Sequence, residues 1–171
     1  MSTQTIFGLQ FALSLVVLSL LASWVLAPWL ATRPQREALF WLTLPHAFRH
    51  IGMVFLVPGV LARPLPDYFA IPAAYGDLLA GALALMALVA LRARWRGAIG
   101  AVWLFNVVGT VDLLNALRHL EVAPYFGAAW YIPTFLVPLL LVTHVMIFAR
   151  LLKPIANTEN TAKRWGSETY F

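Results

Sequence analysis

Five runs of roughly twenty apolar residues, 6–30, 38–61, 73–91, 98–117 and 129–152, take up nearly all of this 171-residue chain. Wound as helices, runs of this length each cross a bilayer core of ~30 Å. The stretches between them, ATRPQRE, RPLPDYFAIP, RARWRG and RHLEVAPYFG, are rich in the proline, glycine and charge that end helices. The expected fold class is an all-α integral membrane bundle of five transmembrane helices, forming one domain over residues 1–152. A polar tail over 153–171 is expected to be disordered on the cytoplasmic side, and its closing GSETYF is assigned no role.

Composition agrees, with 61% hydrophobic and 11% charged residues and a mean hydropathy of +0.79. No room is left for a soluble domain. The opening MSTQTIF has no positive charge, and the apolar run after it outlasts the ~7–15 residues of a signal-peptide core, so the first run reads as a retained helix. Cysteine is absent, which removes disulfides, thiolate metal sites, iron–sulfur clusters and thiol catalysis.

The formal charge is +5, but the basic residues lie in short connections, so nucleic acid is not an expected partner. Arg33, Arg36, Arg92, Arg94, Arg96, Arg150, Lys153, Lys163 and Arg164 fall on one side, against Arg63 and Arg118 on the other. The positive-inside rule then places the N-terminus outside and the C-terminus inside an inner (plasma) membrane that the chain crosses several times. Trp29, Trp41, Trp95 and Trp130 near the run ends suit interfacial belts.

The polar groups inside these runs carry the functional information. An ionisable side chain at a membrane helix centre costs ~2.5–3.5 kcal/mol on insertion scales and is tolerated where it faces the bundle interior. In LPHAFRHIG, at 100° per residue, His46, Arg49 and His50 share one helical face, and Pro45 loosens the backbone before them. Asp77 lies on a small-residue stripe with Ala73, Gly81 and Ala84 that permits close helix approach. The fourth run presents Asn106, Gly109 and Thr110 on one face and Asp112, Asn115 and His119 on another. The fifth aligns Trp130, Pro133 and His144, with Pro133 and Pro138 freeing carbonyls that Thr134 can satisfy.

Depth at 1.5 Å per residue sets His46 level with His144 and Arg49 level with Asn106, with Asp77 and Asp112 nearer the outer face. Arg49 needs a counter-charge, and those aspartates are its intramembrane candidates. An α-helical side chain leans toward its N-terminus, however, which takes Arg49 away from both. That unmatched charge suggests a ligand.

The expected function is a pocket lined by His, Arg and Asp that binds a small lipophilic or anionic ligand or cofactor. In this reading Arg49, Asp77, Asn106 and His144 are ligand contacts, and His46, His50 and Asp112 are acid–base groups. The alternatives are a haem-b cytochrome with His46 and His144 as axial ligands, a small transporter or an intramembrane isomerase or transferase, and a structural polar network within a membrane complex. A metal held by His46, His50 and His144 is disfavoured, because the run lacks the Glu of HExxH and Arg49 repels a cation. The partners expected are the lipid bilayer, the small ligand, and a second copy or another membrane subunit.

Overall fold

The computed structural model describes residues 1–152, so the expectation for the tail lies outside the described residues. Within them the chain is helical, with no strand. Four helices are long and apolar enough to cross a membrane, as a multi-pass membrane protein requires: Thr3–Ala31, Asp67–Arg92, Ala98–Ala116 and Gly127–Leu151.

Helix α1 (Thr3–Ala31) starts on Ser2, whose hydroxyl accepts from the Thr5 amide. It widens into a π turn over Ala22–Leu26, just ahead of Pro28, where the missing amide breaks the regular ladder. It lies against the outside of the bundle and buries little beyond Phe7, Ala22 and Leu30.

The second apolar run departs from expectation. Helix α2 (Gln35–Thr43) gives way at Leu44 to a 3-10 helix that continues to Leu56, with Pro45 in its first turn. The geometry changes with it, from 3.6 to 3.0 residues per turn and from 1.5 to about 2.0 Å per residue.

Helix α3 (Asp67–Arg92) begins directly after Pro66, with Asp67 in its first turn, where a carboxylate suits the helix dipole. It starts six residues before the expected 73. Pro72, which belongs to one of the expected breaks, is instead the sixth residue of this helix, where its missing amide leaves the Tyr68 carbonyl without the usual donor and the helix nevertheless continues. Helix α4 spans Ala98–Ala116. Two 3-10 turns, Leu120–Tyr125 and Gly127–Trp130, and a π turn, Ile132–Leu136, then lead into helix α5 (Val137–Leu151). Thr134 donates to the Trp130 carbonyl inside this proline-loosened stretch.

Helix α3 is central, packed along the 3-10 helix on one side and α4 on the other, while α5 touches α1, α2 and α4. Two apolar clusters close the ends. One gathers Leu30, Leu39, Leu42, Ala87, Val102 and Ile147 at the far end, opposite the chain start. The other gathers Phe7, Phe55, Phe69, Val122 and Phe126 at the near end. There, the segment around Val60 bonds to the connection after α4 through Ala62 N–H to Tyr125 O and Ala128 N–H to Val60 O, both 3.0 Å. Gly127 turns at φ +50° with the backbone of Leu61 and Ala62 pressed against it, a place that a side chain could not take.

Candidate functional site

The 3-10 period organises the site. Its buried residues are His46, Arg49, Gly52 and Phe55, every third residue, because side chains at i and i+3 eclipse in a helix with three residues per turn. His50 belongs to a different column. It is exposed, its Nδ1 bonds only to the Ala47 carbonyl at 3.0 Å, and it takes no part in the buried network. The common face expected for His46, Arg49 and His50 assumed 100° per residue, and at 120° the fourth residue rotates away.

Arg49 is 1% exposed, and each of its three nitrogens has an acceptor. Nε donates to Asp77 Oδ1 at 2.7 Å, Nη1 to the Gly109 carbonyl at 2.9 Å and Nη2 to Asp112 Oδ2 at 2.5 Å. The charge expected to be unmatched is therefore paired twice. Two features of the backbone bring the groups level. The steeper 3-10 rise carries Arg49 toward the near end, and the earlier start of α3 sets Asp77 deeper than a helix beginning at 73 would.

Glycines make room for both carboxylates. A Cβ on Gly52 would fall within the Asp77 carboxyl group, and one on Gly76 within that of Asp112. Gly81 lets α3 approach the backbone of the 3-10 helix at His50. Of these, only Gly81 stands out in the sequence, on the small-residue stripe it shares with Asp77. The signal for the others was a glycine three residues from Arg49 and another next to Asp77.

Behind Arg49 lies a second layer. His46 Nε2 is 2.9 Å from Thr143 Oγ1, and the Thr143 hydroxyl itself donates to the Leu139 or Leu140 carbonyl. Nε2 of His46 is thus the protonated nitrogen. Asn106 donates through Nδ2 to the His144 carbonyl, which fixes its amide and leaves Oδ1 to accept from His144 Nδ1 at 2.7 Å. In the neutral imidazole form each ring then carries its lone pair on the other nitrogen, and His46 Nδ1 and His144 Nε2 are both buried without a hydrogen-bond partner. Asn106, expected beside Arg49, serves His144 instead.

The His46 and His144 rings meet as expected from their depth, but with centroids 4.1 Å apart and Phe105 against both. A haem with axial histidines needs its macrocycle between the two imidazoles, and rings in mutual contact leave no space for it, so these residues do not fit that group. Nor does the structure assemble the three-histidine set, since His50 faces out. Among the described residues, no three His, Asp or Glu side chains are placed to hold a metal ion.

Toward the near end, the carboxylates reach a cavity of about 40 Å³ whose walls include Phe7, Phe55, Phe69, Phe126 and Leu113. The side chains of Asp77 and Asp112 are 14% and 18% exposed, while that of Arg49 is fully covered. The acidic half of the network thus faces the cavity, with His119 at the rim. Phe7, Leu117 and Leu120 also line an open groove of about 520 Å³ along α1, which includes Glu121. The Glu121 carboxyl is held below its ordinary range by its own backbone N–H and by the His119 ring. Toward the far end, the polar layer stops against the apolar cluster of Leu42, Val102, Phe105 and Ile147.

Fold and site together define a multi-pass helical membrane protein with a buried ion-pair network under an apolar cavity. Over residues 6–152 the chain matches the family described as Domain of unknown function (DUF8737), and it belongs to that family. Neither the curated proteins nor the solved structures contain a match to it.

Proposed function

We propose that this is an inner-membrane protein of five crossings, N-terminus outside and C-terminus inside, whose near-end cavity binds a small lipophilic molecule through a cationic or hydrogen-donating group. The observation that carries the reading is the pair of carboxylates exposed to the cavity around an arginine with none of its side chain exposed. Arg49 uses each of its nitrogens inside the protein and offers the cavity nothing. The anionic ligand expected from sequence therefore finds no donor from Arg49 there. One guanidinium can balance only one of two carboxylates, and in a membrane interior a second negative charge is strongly favoured to find a cation, a donor or a proton.

Size and shape narrow the ligand. A water needs ~10–15 Å³ of such volume, so 40 Å³ admits an ammonium-sized head and not a bulky one. The adjoining groove of Phe7, Gly8, Phe11 and Leu117 suits an alkyl tail. The fifth crossing is made by α2 and the 3-10 helix. Nine α-helical and thirteen 3-10 residues rise about 40 Å together, more than the ~30 Å bilayer core.

The test uses hexylammonium, hexanoate and hexanol against detergent-purified protein. At 100-fold excess over Kd, a binder raises stability by ~2.7 kcal/mol. Hexylammonium is expected to raise the melting temperature of the wild type and not of Asp112→Asn; a rise with hexanoate alone overturns the reading. Topology is read separately by single cysteines, Ser2→Cys and Ser167→Cys, in this cysteine-free chain. An impermeant maleimide should label the first and not the second in spheroplasts.

A further inference from the structure

We propose that Arg49 is a two-position group, and that neutralising a cavity-facing aspartate passes one of its N–H bonds to the bare Nε2 of His144. The site would then report what occupies the cavity to α5 and the 3-10 helix. This rests on the cavity being the ligand site, although its test needs no ligand.

The groups that a second position needs lie beside the first. Arginine has five N–H groups, and three hydrogen bonds leave one hydrogen on Nη1 and one on Nη2 unused. His144 is 1% exposed, and its Nε2 lone pair is unpartnered. The two groups flank the same bare Cα: a Cβ on Gly109 would lie 2.9 Å from Arg49 Nη1 and 3.0 Å from His144 Nε2. A surplus donor and an orphaned acceptor thus lie beside the same glycine, which brings no side chain of its own between them. A buried acceptor without a donor is costly, a standing bias toward the second position that the two ion pairs now outweigh.

The charged and titratable groups around Arg49 are Asp77 from α3, Asp112 from α4, His144 from α5 and His46 from its own segment. When a proton or ligand cation takes up the charge of Asp112, its bond to Nη2 weakens, and the guanidinium rotates to give a hydrogen to His144. His144 stacks on Phe105, touches the tilted ring of His46 and is tied to Asn106, so the shift reaches α4, α5 and the 3-10 helix together. The apolar cluster beyond the histidines closes the far side, so the arrangement suits sensing an occupant over passing it through.

The test is nitrogen NMR on protein carrying 15N-histidine, in wild type and in Asp112→Asn, the neutral isostere of an occupied carboxylate. The chain has four histidines, so His46→Gln and His144→Gln variants assign the resonances. His144 Nε2 is expected to read as a bare pyridine-type nitrogen in the wild type and as a hydrogen-bonded acceptor in Asp112→Asn. The same change is expected on acidifying the wild type, which covers the case of a variant that fails to fold. A His144 Nε2 resonance unmoved by both perturbations overturns the switch. If it moves while hexylammonium fails to bind, the switch stands and the cationic-ligand reading falls.

Discussion

Gly109→Ala tests the packing of the network most directly, because the same change elsewhere has the opposite sign. In a helix interior, replacing glycine by alanine is favourable by ~0.8–1 kcal/mol. At Gly8, where an added Cβ meets nothing within 4 Å, that gain should appear nearly alone. At Gly109 the methyl would lie 2.9 Å from Arg49 Nη1, 2.9 Å from His144 Cε1 and 3.0 Å from His144 Nε2, closer than ordinary contacts allow. All three atoms belong to fully buried side chains, so none can swing into open space. Overpacking of this kind costs ~1–3 kcal/mol, and loosening the charged hydrogen bond from Nη1 to the Gly109 carbonyl adds ~1.5–3 kcal/mol. Less the propensity gain, the net is a loss of about 2–4 kcal/mol, which at ~2–4 °C per kcal/mol for a chain of this size lowers the melting temperature on the order of 10 °C. Differential scanning fluorimetry in one detergent, with Gly8→Ala as control, reads both. A Gly109→Ala protein melting at or above the wild type refutes the placement of Arg49 and His144 at this glycine.

The other expectations concern the same groups and their surroundings. Arg49→Met leaves two carboxylates unpaired and should cost ~3–5 kcal/mol, whereas Arg49→Met with Asp77→Asn and Asp112→Asn should recover a good part of it, by the logic of buried ion pairs. Melting temperatures of the single and triple variants decide. His144→Ala should destabilise by ~2–4 kcal/mol through a lost ring and an unpaired Asn106, while His50→Ala should stay within ~0.5 kcal/mol, measured in the same way. An absorption spectrum before and after dithionite should show no Soret band, and a band that His144→Ala abolishes would overturn the ring-contact geometry. Glu121, held below its ordinary range by its backbone N–H and His119, contributes stability at neutral pH that is lost as pH falls through its folded value. Glu121→Gln should flatten that acid limb in a plot of melting temperature against pH.

Much of this arrangement was legible in the sequence. Apolar runs and their proline, glycine and charged breaks located the four long apolar helices within a few residues, except where Pro72 hid the first turns of α3, while the second run divides into α2 and a 3-10 helix. The polar residues in those runs identified Arg49, Asp77, Asp112, His46, Asn106 and His144, the groups the structure gathers. Depth from α-helical rise brought the two histidines together correctly. It failed for Arg49, because nothing in HAFRHIGMVFL distinguishes a 3-10 from an α-helix: the choice is made by tertiary contacts that reward a column over a spiral stripe. The sign of the expected ligand followed that error, since an arginine without partners attracts an anion and one held by two aspartates does not. Thr143 was invisible as well. A threonine next to a histidine in an apolar run gives no hint that its hydroxyl will accept a hydrogen bond from another helix.

The 3-10 helix also explains why these residues sit in LPHAFRHIGMVF and not in a regular helix. At three residues per turn and about 2.0 Å per residue, side chains three apart stack in a straight column with steps of about 6 Å. Read upward from the far end, that column supplies His46 for the histidine layer, Arg49 for the ion pairs, Gly52 as the slot for Asp77 and Phe55 as cavity wall. In an α-helix, residues 46, 49, 52 and 55 would drift by 60° at each step, and the fourth would point to the opposite side. The column therefore needs a helix type that is rarely sustained beyond three or four residues and has poorer hydrogen-bond geometry. Pro45 helps at the start, because it has no amide to place in a regular α ladder. Further along, Gly52 and Gly81 allow close packing against α3, and the bonds from Arg49 to Asp77 and Asp112 tie the segment to α3 and α4. The ion pairs thus tie the backbone to its neighbours in the conformation that aligns them.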